Sequence, residues 1–198
     1  MSTTVPALVL ASTSRYRREL LERLGLPFGV DAPSVDESVS AGESPQAAAL
    51  RLSALKAQAV APRHPHALII GSDQIAELNG RHIGKPGHHA AAVAQLQAMR
   101  GQTLRFHTGL SLLNTASGTI HSETVTTEVR IRTLSDNQIE HYLQRERPYD
   151  CAGSAKSEAL GIALMESLRG DDPTALIGLP LIALTRMLAS EGVDVLLG

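Results

Sequence analysis

Apolar positions follow two rhythms along this chain, and each rhythm predicts an element. Residues 5–11 form an unbroken apolar run that reads as a buried strand. Directly after it, Leu20, Leu21 and Leu24 recur at helical spacing over residues 15–24, and Gly25 ends the pattern. The stretch "PFGVDAPSVDESVSAGE" keeps neither rhythm and is expected to be a loop carrying Asp31, Asp36, Glu37 and Glu43. Ser44 is placed to cap a second helix with Pro45 at its first position, where a missing N–H costs nothing. The apolar stripe of that helix is Ala48, Leu52, Leu55 and Ala59, and Lys56 lies beside the stripe, able to reach inward from its edge. "RHPH" stops the helix, and "ALIIGSDQIAEL" predicts a strand that ends in a polar tip.

Further on, "NGRHIGKPG" is a turn leading into a helix over residues 88–99. The long stretch "LRFHTGLSLLNTASGTIHSETVTTEVRIRTL" predicts a hairpin that turns near Ser117 and Gly118. Residues 135–147 form a polar helix halted by Pro148, "ALGIALMESL" a short apolar strand, and residues 180–190 the closing helix. No repeat, low-complexity tract or flexible linker interrupts residues 1–198, which read as a single domain. Strand and helix alternate around one long hairpin, so the expected fold is α/β with a mixed sheet.

Composition narrows what such a fold can do. With 43% hydrophobic residues among 198, the chain can build one good core or two closely joined lobes. A net charge of −2 argues against a nucleic-acid surface, which needs broad basicity. No apolar run reaches the roughly 18 residues of a membrane span. The single cysteine excludes an internal disulfide, and with no leader-like segment the expected location is the reducing cytoplasm. Aromatics make up only 3% and Trp is absent, so a Tyr beside a polar cluster stands out.

One cluster breaks a local rule. Arg15, Arg17 and Arg18 crowd the first turn of the first helix, where the partial positive charge of the helix end disfavours cations by up to about 1 kcal/mol. Ser12, Thr13 and Ser14 precede them and offer hydroxyls beside unbonded backbone N–H groups. A strand-to-helix turn of this kind is an anion site that the arginines would complete. A solvated basic helix capped by Ser14 is the plain alternative, since no Walker-type glycine loop is present. Asp73, in "IIGSDQ", is expected at the strand end where open α/β sheets bind ligands, as a metal ligand or general base; a turn-forming Asp explains it equally. Glu37, Lys56 and Lys85 of "GKP" each read as surface charge when taken alone. Together these residues supply two carboxylates for a divalent cation and several cations for phosphates, the set that phosphoanhydride hydrolysis requires. Cys151 reads as a small packed hydrophobe and His64, His66, His88 and His89 as solvated loop residues. Asp171 and Asp172 in "GDDPT" read as a turn with a helix or loop cap.

The motifs "LASTSRYRRELL", "VDES", "RLSALKA", "IIGSDQ", "GKP", "YDCAGSAKSE" and "GLPL", in that order across essentially the whole chain, resemble the Maf family of nucleotide pyrophosphatases. The resemblance implies a two-lobed α/β fold like that of inosine triphosphate pyrophosphatases, with a long mixed β-sheet and a cleft between the lobes. It also implies hydrolysis of a nucleoside triphosphate to the monophosphate and pyrophosphate with a divalent cation, Mg2+ or Mn2+. Matched by position, Asp73 is the implied acceptor of the water's proton. Ser12, Arg17, Lys56 and Lys85 are implied phosphate contacts, with Arg18 supporting them, and Glu37 joins Asp73 at the metal. A homodimer is compatible with the resemblance.

Within the family this chain looks like the branch acting on 7-methyl-GTP, a house-cleaning activity. The branch acting on dTTP and UTP carries Arg, Thr and Gln where this chain has Tyr16, Gln74 and Glu158. The chemistry agrees with the first branch: a cationic 7-methylguanine gains about 0.5–2 kcal/mol on an aromatic face, and a carboxylate accepts from its N–H edge. The 7-methyl-GTP branch more usually has Pro and Trp where Arg15 and Tyr16 stand, and a bulkier residue at Ala155. The alternatives are a dTTP/UTP pyrophosphatase of the same family, or a nucleotide-binding regulator of septum formation without turnover, since the family is associated with cell-division arrest.

Overall fold

A computed structural model describes residues 6–197 of the chain. In order, β1 (Ala7–Ala11), α1 (Arg15–Glu22), β2 (Phe28–Asp31), α2 (Pro45–Val60), β3 (Ala67–Leu78) and β4 (Arg81–Ile83) precede α3 (His89–Met99). They are followed by β5 (Thr103–Asn114), β6 (Ile120–Ile131), α4 (Asp136–Glu146), β7 (Met165–Arg169) and α5 (Leu181–Ser190). The seven strands belong to one sheet ordered β2-β1-β3-β5-β6-β7, with β4 paired to β3. β2 and β3 run parallel to β1, whereas β4 is antiparallel to β3 and β7 to β6. The mixed α/β sheet expected from the alternation of elements is therefore present.

Two compact units divide the chain. The first consists of Met1–Gln74, Thr108–Val125 and Asp172–Gly198. Its strands alternate side chains between faces. Leu8, Leu10, Leu68 and Ile70 pack with Leu20 and Leu21 of α1 and Leu184 and Leu188 of α5. Val9, Ala11, Ala67 and Ile69 pack on the other side with Ala57 and Val60 of α2. Both faces are covered, which is why these strands read as continuous apolar runs. The helix α2 lies almost on the sheet: a Cβ on Gly71 would stand 2.1 Å from the Ser53 carbonyl oxygen and 2.8 Å from the Ala57 nitrogen. Only glycine fits there.

The second unit consists of Ile75–His107 and Thr126–Asp171, with α3 packed on α4. Ala92, Leu96, Met99, Ile139, Tyr142 and Leu143 are its buried helix residues. Ser135 begins α4 with a reciprocal capping box to Gln138. Among the described residues no helix is long and apolar enough to cross a membrane.

Several expectations need correction. The stretch expected as a loop contains β2, paired in parallel from Leu8↔Phe28 to Ala11↔Asp31. β4 similarly occupies the turn region, closed by Asn79 and Gly80 at positive φ. Both strands are short and mostly exposed, so pairing rather than a hydrophobic rhythm creates them. Asp73 is not at a strand tip but in the middle of β3, which continues to Leu78 because the polar side chains of its central stretch find partners. Of the expected stripe of α2, Ala48 and Leu52 are buried, but Leu55 and Ala59 are not; the buried face is completed by Ala49, Ser53, Lys56, Ala57 and Val60. Small residues face the sheet because contact at Gly71 leaves no room for larger ones. "ALGIALMESL" begins as a 3-10 turn (Leu160–Leu164), and only β7 after it is a strand, largely exposed. Val5, expected to open the first strand, lies outside the described residues.

Candidate active site

The three first-turn arginines each have a partner. The Arg15 guanidinium carbon lies 4.7 Å from the centre of the Tyr16 ring, and Arg15 Nη2 donates to the Tyr16 hydroxyl at 3.0 Å. Arg18 Nε donates to Glu22 Oε1 at 3.0 Å on the exposed side of α1, so Arg18 is not brought to the other candidate residues. Arg17 turns back toward the strand end. Its Nε donates to the Gly178 carbonyl at 2.9 Å and its Nη1 to Ser12 Oγ at 3.4 Å. Ser12 Oγ also accepts from the Ser14 N–H at 3.1 Å, while Ser14 caps α1 by accepting from the Arg17 N–H at 3.4 Å. Burial holds the Arg17 pKa below its ordinary value, and the charges of Asp73 and Glu37 pull it back up. The guanidinium therefore sits in the field of both carboxylates.

Those carboxylates meet on one ammonium. Lys56 Nζ donates to Asp73 Oδ1 at 2.6 Å and pairs with Glu37 Oε1 at 3.0 Å. Lys56 is 4% exposed and Asp73 7%. An ion pair this buried is a poor route to stability, because desolvating both charges offsets most of their attraction. Its presence in the core of the first unit points to chemistry. Glu37, with its side chain 58% exposed, brings the third charge from the loop after β2. Arg51 fixes that loop through two 2.7 Å bonds to Glu43 and one of 3.0 Å to the Ser38 carbonyl.

The donor set fits one kind of metal site. Among the described residues no group of three or more His, Cys, Asp or Glu side chains could hold a metal ion. Two carboxylates converging on one point suit a hard divalent cation that takes its remaining ligands from water and substrate phosphates, as Mg2+ does. Glu37 and Asp73 match that requirement together with a triphosphate and not without one.

Beside Asp73 on β3, Gln74 is locked by its amide nitrogen. Nε2 lies 3.0 Å from Thr108 Oγ1, 3.0 Å from the Ala175 carbonyl and 2.9 Å from the Leu176 carbonyl. Carbonyls only accept, so the nitrogen must face them. Gln74 Oε1 is left without a hydrogen-bond partner among the described residues, an acceptor available for a ligand N–H. Ser72 Oγ, on the other side of Asp73, lies 2.9 Å from both the Gly109 and Gly178 carbonyls. Sequence reasoning missed Ser72, Thr108 and the carbonyls of residues 175–178. "GLPL" and "GDDPT" marked that segment, but neither motif reveals which carbonyls it turns inward.

Lys85 and Glu158 belong to the second unit, each exposed on a loop. Gln95 links those loops, donating to the Gly84 carbonyl at 2.9 Å and accepting from Ser154 Oγ at 2.8 Å. Two histidines expected as solvated are tied down. His64 Nε2 is 2.7 Å from Asp31 Oδ2, and His89 lies 3.0 Å from both Tyr149 Oη and Glu140 Oε2. Burial pushes the Cys151 thiol up to about 12, so it is no nucleophile at neutral pH.

A mixed α/β sheet carrying a buried carboxylate beside a cationic helix start agrees with the family comparison. The Maf-like protein family matches residues 7–191, and the chain belongs to the Maf family. Its relatives are more particular. A 7-methyl-GTP pyrophosphatase of Thiobacillus denitrificans is 63% identical over 99% of this chain and 98% of its own length. Proteins of the same name from Aromatoleum aromaticum and Methylobacillus flagellatus are 60% and 56% identical, covering 93% and 97% of this chain and 95% and 100% of their own lengths.

Proposed function

We propose that the chain hydrolyses nucleoside triphosphates, 7-methyl-GTP foremost, to the nucleoside monophosphate and pyrophosphate. The observation that carries this reading is the buried Lys56 ammonium held between Asp73 and Glu37, beside the Arg17 guanidinium. The identity of 56–63% to relatives named 7-methyl-GTP pyrophosphatase, over nearly full length, supports the substrate.

In this reading Asp73 orients a water molecule and takes its proton as the water oxygen bonds to the α-phosphorus. The bond from that phosphorus to the bridging oxygen breaks, and pyrophosphate leaves with the electron pair. Arg17, Lys56 and Lys85 meet the negative charge that builds on the leaving group, and Ser12 donates to a phosphate oxygen. A divalent cation, Mg2+ or Mn2+, would be held by Glu37, Asp73 and the phosphates, and would supply charge neutralisation at the phosphoryl group. Once phosphate oxygens arrive, they give the Lys56 ammonium an alternative to the carboxylates. The Tyr16 ring stacks on the cationic base, Gln74 Oε1 accepts from a base N–H, and Glu158 accepts from the guanine edge while complementing the ring's charge. The substrate this chemistry takes is free nucleotide, in the cytoplasm.

The test is phosphate release from a nucleotide panel, read with added inorganic pyrophosphatase, with Asp73→Ala as control. Metal-dependent release highest on 7-methyl-GTP and lost in the control is expected. Release no greater than that of the control on every nucleotide overturns the reading.

A further inference from the structure

The helix α5 begins at Leu181, and Pro180 at its cap position has no side-chain group to cap it. Its first N–H groups are satisfied from far upstream instead. The Leu181 N–H donates to Thr174 Oγ1 at 2.9 Å and the Ile182 N–H to Asp172 Oδ2 at 2.7 Å. Asp172 Oδ1 accepts from the Thr174 N–H at 2.9 Å and lies 2.7 Å from Thr174 Oγ1, which is also 2.8 Å from the Leu179 carbonyl. Asp172 is 4% exposed. One buried carboxylate thus closes the strap 172–182 on itself, and its negative charge suits the N-terminal end of α5.

The carbonyls along that strap hold the candidate site. Ala175 and Leu176 receive Gln74 Nε2, and Ala175 also receives Thr108 Oγ1 at 2.9 Å. Gly178 receives Arg17 Nε and lies within reach of Ser72 Oγ. It does so at φ +122°, with the position of a Cβ only 3.4 Å from Arg17 Nε, so the strap's path here admits glycine alone.

We propose that Asp172, acting with Thr174, is a positioning residue of the nucleotide site: it fixes the strap whose carbonyls aim Arg17 and turn Gln74 so that its Oε1 faces a ligand. The proposal rests on the nucleotide-hydrolase reading above. A carboxylate is required because both of its oxygens take N–H donors. An amide at the same position would set its NH2 against one of them.

The experiment measures kcat and KM on 7-methyl-GTP and dTTP, together with tripolyphosphate binding by calorimetry and thermal midpoints, for wild type, Asp172→Asn, Thr174→Val and Thr174→Ser. Assays run well below every midpoint. Loss of the charge-assisted bonds should raise KM and weaken tripolyphosphate binding about tenfold in Asp172→Asn. Selectivity for 7-methyl-GTP over dTTP should fall as well, through Gln74. Thr174→Val should follow in the same direction and carries the test if Asp172→Asn does not fold, whereas Thr174→Ser should restore wild-type values. If wild type is active and the Asn and Val variants lose only thermal stability, with KM, binding and selectivity unchanged, the positioning role is overturned and the hydrolase reading stands. A wild type that neither binds tripolyphosphate nor hydrolyses nucleotide overturns both.

Discussion

Lys56 and Asp73 form a 2.6 Å ion pair with both side chains at or below a tenth exposed. Removing one partner leaves the other buried and unpaired, so Lys56→Met and Asp73→Leu should each cost about 3–5 kcal/mol. Replacing both together removes both charges and should recover most of that loss. Urea unfolding checks the cycle. Activity should behave differently: no member of the set, the stable double variant included, should hydrolyse nucleotide above background. Recovery of stability without recovery of activity would separate the pair's chemical role from its structural one.

Substrate choice gives a second prediction. Exchanging Tyr16, Gln74 and Glu158 for Arg, Thr and Gln should lower kcat/KM on 7-methyl-GTP and raise it on dTTP or UTP. The stacking contribution alone, about 0.5–2 kcal/mol, corresponds to a factor of roughly 2 to 30. Part of the effect must arise at Gln74, because threonine is too short to reach the Ala175 and Leu176 carbonyls that now hold the amide. Relative rates on the nucleotides that stay as they were would refute the assignment of these three residues to base recognition.

What the sequence made legible was local, and what it hid was not. Ser44 with Pro45, the halt of α4 before Pro148, and the turn between β5 and β6 are written in residues a few positions apart, and all are found where expected. β2 and β4 are strands only because β1 and β3 lie beside them. The site divides in the same way. Ser12, Arg17, Lys56 and Asp73 were readable as chemistry-bearing residues, and the first unit gathers them. That Lys56 lies inside the buried face of α2 depends on Gly71 across from it, which no helical periodicity encodes. Asp172 was readable as a cap, yet the helix it caps starts nine residues later.

Acid should loosen the segment that carries Glu37. Hydrogen bonds from Arg51 hold the Glu43 carboxyl down at about 2, from an ordinary value of 4.5. A carboxyl whose pKa falls on folding stabilises the protein above its unfolded value, and that contribution is lost as pH drops through the folded one. The window therefore runs from about 4.5 down to about 2. Wild type should exceed Arg51→Met in stability by a constant margin at pH 6, by less at pH 3, and by almost nothing near pH 2. Urea midpoints across that range test the sign, and a margin that widens with acid would contradict the pairing.

The last prediction concerns the distance between α2 and the sheet. Gly71 precedes Asp73 by two positions on β3, and the atoms its Cβ would strike, the Ser53 carbonyl at 2.1 Å and the Ala57 nitrogen at 2.8 Å, flank Lys56 on α2. They are backbone atoms, so no rotamer change relieves the clash; the helix itself must move. Overpacking of this kind costs roughly 1–3 kcal/mol or more. Gly71→Ala should fall at or above the upper end of that range. It should also raise KM and lower kcat at temperatures where the variant remains folded, because the helix that shifts carries Lys56 away from Asp73. Gly29→Ala supplies the comparison: on β2 its Cβ would meet nothing within 4 Å, and its stability and kinetics should match wild type. Equal tolerance of alanine at both positions would mean that the close approach of α2 does not set the ion pair.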